Sequence, residues 1–142
     1  MTRVIGIDYG QRRIGIALSD ELQLFATPFY TITDNSNNLE KICYDLIEII
    51  EKEKVSSIVI GLPSHRDGSP SRQTKAVEKF IRTLRQLTDL PIVTYDERYS
   101  SVEANELLIR KGISIKKSKE KIDQIAAAII LQNYLNSKER EE

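Results

Sequence analysis

The chain has 142 residues, 40% hydrophobic and 30% charged, a length and balance that fit one folded domain over residues 1–142 and exclude a disordered or fibrous chain. Its 21 Lys plus Arg cancel its 21 Asp plus Glu, so net charge alone marks no polyanion binder. A single Cys and a single His exclude a disulfide framework and the usual zinc sites, and the longest apolar run, Ile125 to Leu131, is too short to cross a membrane, so a cytoplasmic protein without a membrane partner is expected.

Arg3 to Asp8 is almost continuously apolar, the pattern of a central strand buried on both faces, and Tyr9 to Arg12 contain Gly10 and suit a turn. Arg13 to Ser19 alternates Ile14, Ile16 and Leu18 with Gly15, Ala17 and Ser19, which predicts a second strand packed closely on its small-residue face. A third strand is expected over Leu24 to Ile32, where Pro28 points to a sheet edge or a bulge. Leu39 to Lys54 then carries Leu39, Ile42, Cys43, Leu46, Ile49 and Ile50 at helical spacing, with Cys43 in the core face.

Ser57 to Leu62 reads as a fourth strand and residues 64–71 as an exposed loop. A helix with Val77, Phe80, Ile81, Leu84 and Leu87 on one face precedes a fifth strand, Ile92 to Tyr95. Ser100 and Glu103 form a capping-box signal for a helix to about Lys111, closed by Gly112. The last helix, near Lys119 to Asn136, is apolar on nearly every side through its middle and should be buried. Three meandering strands followed by alternating helix and strand imply an α/β fold, a mixed sheet with helices on its faces.

The informative residues are acids in awkward places. Asp8 ends a buried strand, Asp96 and Glu97 follow directly on a strand, and Asp123 lies in the apolar helix KIDQIAAAIIL. Burying a carboxylate is costly unless a partner, a metal or hydrogen bonds compensate. Local explanations exist: Asp-Tyr-Gly is also a turn signature, and Asp123 near a helix start favours the helix dipole. Strand parity nevertheless sets Asp8 with Val4 and Gly6, and the next strand offers Gly15 and Ala17, a floor of small side chains that a helix backbone can approach. The alanines after Asp123 suit that approach, and a neighbouring strand ending at Glu97 would bring three acids to one sheet edge. Such an oxygen set suits Mg²⁺ or Mn²⁺ and points to phosphoryl transfer.

Arg13 and Arg98 flank these acids, suited either to phosphate or to pairing with a neighbouring carboxylate, while Tyr9 is a candidate for stacking on a base. His65, in an exposed loop, reads as a surface residue. The neutral total conceals two basic segments. Residues 110–121 set Arg110, Lys111, Lys116, Lys117, Lys119 and Lys121 against Glu120 alone, and residues 66–85 are also basic, with Arg72 among their cations. Either segment can meet a polyanion, with Arg72, Lys116 and Lys117 as candidate nucleic-acid contacts.

The stretches IGIDYGQRRIGIALSD, IVIGLP followed by DGS, YDERYSSVEA and KIDQIAAAIILQNYL resemble, in order, the signatures of the YqgF family, also called the RuvX or pre-16S rRNA nuclease family. The resemblance covers almost the whole chain. It implies a ribonuclease H-like fold with a five-stranded mixed sheet, three strands in an antiparallel meander and two parallel, helices on both faces. It also implies a magnesium- or manganese-dependent nuclease trimming the 5′ end of precursor small-subunit rRNA, with the acidic positions at Asp8, Glu97 and Asp123. Structured precursor rRNA in ribosomal particles is then the expected partner, branched DNA the alternative, with monomer and homodimer both open. Ser100-Ser101 stand where the family often has Thr-Thr, and His65 where it often has Asn. Asp96 and Asp67 are candidates for the fourth acid of related resolvases.

A strand with Asp-x-Gly and a hairpin also resembles the phosphate-binding start of actin-like and sugar-kinase ATPases, but those need two such domains and the chain has no internal repeat. A non-catalytic RNA-binding module of the same fold is the remaining alternative.

Overall fold

A computed structural model of the chain describes residues 2–10, 12–33, 38–63, 69–96 and 119–141. In chain order the elements are β1 (Arg3–Tyr9), β2 (Arg13–Ser19), β3 (Ala26–Thr33), α1 (Leu39–Lys52), β4 (Val55–Leu62), α2 (Arg72–Arg85), β5 (Ile92–Asp96) and α3 (Lys119–Glu141). The strands form one five-stranded sheet in the order β3-β2-β1-β4-β5. β1, β2 and β3 pair antiparallel as a meander, and β4 and β5 join parallel to β1. Parallel neighbours need a crossover, and α1 and α2 supply the two.

Strand alternation assigns the faces. Ile5, Ile7, Ile14, Ile16, Ile58 and Ile60 meet Leu46 of α1 and Phe80 and Leu84 of α2 in one core, while Val4, Ala17 and Val59 meet Ile125, Ala127 and Leu131 of α3 in the other. Helices therefore cover both faces of the sheet. Each fully buried Ile or Leu contributes about 1.5–3 kcal/mol, so these two layers dominate stability. Cys43 lies in the first core, fully buried, as its place on the apolar face of α1 anticipates. No helix among the described residues is long and apolar enough to cross a membrane.

β3 occupies the sheet edge and its pairing with β2 shifts between Ile16 and Ala17, so Pro28 marks both an edge and a bulge. α1 stops at Lys52, two residues before the expected end, because Lys54 takes a left-handed φ of 56° that no helix continues through. Leu87 lies beyond α2, yet still packs against its core. The helix expected over 100–111 falls outside the described residues.

α3 is buried through its middle, but not by apolar contacts alone. Gln132, 1% exposed, accepts the Ala26 N–H at 2.8 Å through Oε1 and donates Nε2 to the Leu24 carbonyl at 3.0 Å. Gln124, also buried, donates to the Thr31 hydroxyl at 3.1 Å. Both amides stitch α3 to the edge strand and satisfy polar groups that burial would otherwise penalise.

Candidate active site

Because β1, β4 and β5 are parallel, their C-terminal ends lie at one end of the sheet, where crevices of α/β folds open. Asp8 sits there, one residue before β1 ends, and pairs across the ladder with Gly15 of β2. Paired residues project to the same face, so Asp8 and Gly15 share the α3 side with Gly6 and Ala17. The α3 backbone lies directly on this floor. A Cβ built on Gly15 would stand 2.0 Å from the Asp123 carbonyl oxygen, and one on Gly6 2.6 Å from Leu131 Cβ and 3.0 Å from the Ala127 carbonyl oxygen. Asp123, near the start of α3, is thereby seated over the residue paired with Asp8, and strands and helix more than a hundred residues apart bring the two acids to one place.

Arg13, the first residue of β2, donates its Nε to Asp123 Oδ2 at 2.6 Å. The side chains are 37% and 23% exposed, so water reaches the pair and its net contribution to stability is small. Its geometric effect is larger, because a short charge-assisted bond fixes the carboxylate's orientation. Of the two roles open to Arg13 in the sequence, pairing with a carboxylate is the one observed.

α2 begins at the same end of the sheet. Ser71 caps it through a reciprocal capping box with Thr74, and the Thr74 hydroxyl donates to the Pro63 carbonyl just beyond β4. Gln73 donates to the Tyr9 carbonyl at 2.6 Å, tying the helix start to the end of β1. Arg72, the first residue of α2, is exposed beside these anchors. Tyr9 turns to the opposite face from Asp8 and stacks on Phe80, ring centroids 4.4 Å apart, so packing within the core takes up the ring considered above for base stacking. Burial pushes its hydroxyl pKa up, and Cys43 adds to the effect.

Asp96 pairs with Leu62, which packs against the α1 and α2 core, so register places Asp96 on the face away from Asp123. Glu97, Arg98, Lys116, Lys117, Asp67 and His65 lie outside the described residues. Among the described residues no group of three or more His, Cys, Asp or Glu is close enough to hold a metal ion. The described pair, Asp8 and Asp123, offers hard oxygen donors of the kind Mg²⁺ and Mn²⁺ prefer. Sequence reasoning missed Gln73, Gln124 and Gln132, whose only signal is a polar side chain within or beside an apolar pattern.

The fold is ribonuclease H-like. It is similar to Thermus thermophilus RuvC, solved in complex with a Holliday junction substrate, at a TM-score of 0.65 and 12% identity, covering 98% of this chain and 96% of that one. It is also similar to the fowlpox virus Holliday junction resolvase, at a TM-score of 0.59 and 16% identity, covering 96% and 99%. A profile of the RuvX family, described as Holliday junction resolvase, matches residues 2–137. A protein of Lachnospira eligens named "Putative pre-16S rRNA nuclease" is 42% identical over 139 residues, 97% of this chain and 99% of its own. A protein of the same name from Halothermothrix orenii is 40% identical over 135 residues, 94% of each. The chain belongs to the RuvX family.

Proposed function

We propose that the chain, acting as one domain over residues 1–142, is a nuclease that trims the 5′ end of precursor 16S rRNA, with Asp8, Glu97 and Asp123 as carboxylates holding Mg²⁺ or Mn²⁺. The observation that carries this reading is the seating of Asp123 over the strand partner of Asp8 at the C-terminal end of the parallel strands. Family membership supports phosphodiester hydrolysis, and the names of the relatives favour RNA. The cytoplasm, precursor ribosomal particles and a monomer or homodimer belong to the same reading.

Bound divalent ions supply a water acidic enough to attack at neutral pH and charge to stabilise the leaving oxygen. The protein supplies rigid placement. Asp8 sits near the end of a strand buried by both layers, and Asp123 is held by close packing of α3 and by Arg13, so the Asp123 carboxylate is oriented before substrate arrives. Arg13 keeps part of its guanidinium in solvent, and with Arg72 at the start of α2 it can receive substrate phosphate. Arg98, Lys116 and Lys117 are the further phosphate contacts of this reading.

The test sets a precursor rRNA fragment beside a four-way DNA junction, each with wild type or Asp8→Asn, in Mn²⁺ or in chelator. Wild type should cut the RNA only with Mn²⁺, and Asp8→Asn should lose at least about 100-fold in rate with an unchanged urea midpoint. Cutting of the junction alone would transfer the activity to branched DNA, the substrate suggested by the RuvC likeness. Asp8→Asn working at the wild-type rate would remove Asp8 from the chemistry.

A further inference from the structure

α2 carries a cationic stripe of which the nuclease reading uses only the first member, Arg72. Arg72, Lys75, Lys79 and Arg82 are all exposed, spaced i, i+3, i+7 and i+10 along the helix. That spacing gathers them on one side. It is the side opposite Val77, Phe80, Ile81 and Leu84, which are buried against the sheet, so all four charges face outward. Glu78 and Arg85 fall together on the flank. The ion pairs among the described residues, Arg3 with Glu21 and Arg13 with Asp123, include none of the four.

Like charges three and four residues apart weaken a helix, and the one acid of α2, Glu78, three residues after Lys75 and four before Arg82, offsets them only in part. The adjacent helix α1 has the opposite character, with Glu40, Asp45, Glu48 and Glu51 against Lys41 and Lys52. A polyanion is thus attracted to one helix of this face and repelled by the other. At 1.5 Å per residue, Arg72 to Arg82 spans roughly 15 Å, with successive charges about 5–6 Å apart. The stripe starts at Arg72, next to Gln73, whose side chain is bonded to the Tyr9 carbonyl one residue from Asp8.

We infer that Arg72, Lys75, Lys79 and Arg82 form a track for the phosphate backbone of one RNA strand, leading away from the Asp8 end of the sheet along the outer side of α2. The track rests on the nuclease reading for its direction, but binding tests it without cleavage. Phosphate contacts carry no base information, so it fixes where a strand lies and not which sequence is bound.

The experiment measures fluorescence anisotropy of a labelled 20-nucleotide single-stranded RNA, in chelator, from low to moderate salt. It compares wild type with the triple variant Lys75→Gln, Lys79→Gln, Arg82→Gln and with the α1 control Lys41→Gln, Lys52→Gln. Gln keeps helix propensity, and a circular dichroism melt checks folding. The track predicts at least about 10-fold weaker binding at low salt for the triple variant, and a log–log salt slope shallower by about 2, near 0.7 per lost phosphate contact. An α2 variant that loses no more affinity than the α1 control, or an unchanged slope, overturns the track. Weakened binding of a four-way DNA junction with RNA binding intact overturns the assignment to RNA. Cleavage failure of the wild type, with the α2 effect present, sinks the nuclease reading and leaves the track standing.

Discussion

Gly15→Ala tests the placement of Asp123 directly. The added methyl would stand 2.0 Å from the Asp123 carbonyl oxygen, 2.3 Å from its carbonyl carbon and 3.0 Å from the Gln124 nitrogen. All three are backbone atoms, so no side chain can swing aside. Reaching an ordinary contact of about 3.4 Å requires the start of α3 to lift by roughly 1.4 Å, while Gln132, still bonded to Ala26 and Leu24, holds the helix further along. Overpacking of this kind costs about 1–3 kcal/mol, which at this chain length is a fall in Tm of roughly 3–10 °C. A displacement near 1 Å at a reacting group costs about 100-fold in rate, so cleavage per folded molecule should fall far more than stability. Gly6→Ala is the control: its methyl would meet Leu131 and Ala127, a turn or more along α3, and should destabilise while sparing more of the rate. Urea unfolding followed by circular dichroism gives the first quantity, and RNA cleavage well below the melting range the second. Gly15→Ala with the wild-type urea midpoint and the wild-type rate would refute the seating of α3 on the sheet.

Gln132→Leu leaves the buried Ala26 N–H without its acceptor and should cost about 1–3 kcal/mol in urea unfolding, with Ala26 losing amide-exchange protection; unchanged protection would count against the bond. Arg13→Gln should cost less than about 1 kcal/mol because the pair is partly solvated, and a loss above about 3 kcal/mol would mean the pair is far more buried than it stands. Cys43 has no exposed surface, and burial first, with the Glu40 charge second, pushes its thiol pKa up from 9.0 to about 11. It should resist a thiol reagent at pH 8 until the chain unfolds. Since the folded pKa is the higher one, the unfolded thiol ionises first, and this contribution to stability, present below about pH 9, should be lost as pH rises towards 11. A Cys43→Ala variant whose alkaline stability profile matches wild type would contradict that assignment.

The sheet and its layers were legible because burial leaves a periodic record. Arg3 to Asp8 reads as a two-sided strand and Arg13 to Ser19 as alternating large and small, and the observed β1 and β2 carry those faces. Pro28 signalled an edge or a bulge, since a residue without an N–H cannot sit in a central ladder, and β3 has both. Even the approach of α3 was legible, because glycine and alanine at one strand parity leave room that only a backbone fills. Ends of elements were less so: the stop of α1 depends on a left-handed residue, Lys54, that no apolar period reports.

Polar side chains within the cores escaped sequence reasoning altogether. Nothing local to Gln132 names Ala26 or Leu24 as its partners, because those contacts exist only when α3 crosses the edge strand. The same holds for Arg13, whose sequence context allowed phosphate or carboxylate until packing set Asp123 within 2.6 Å. Asp8 and Asp96 look alike as acids at strand ends, yet register sends them to opposite faces of the sheet. Residue type and period thus determined which segments are buried and which acids are costly to bury. Only the tertiary fold decided which of those acids share a face, because that depends on the pairing of strands and the docking of a helix distant in sequence.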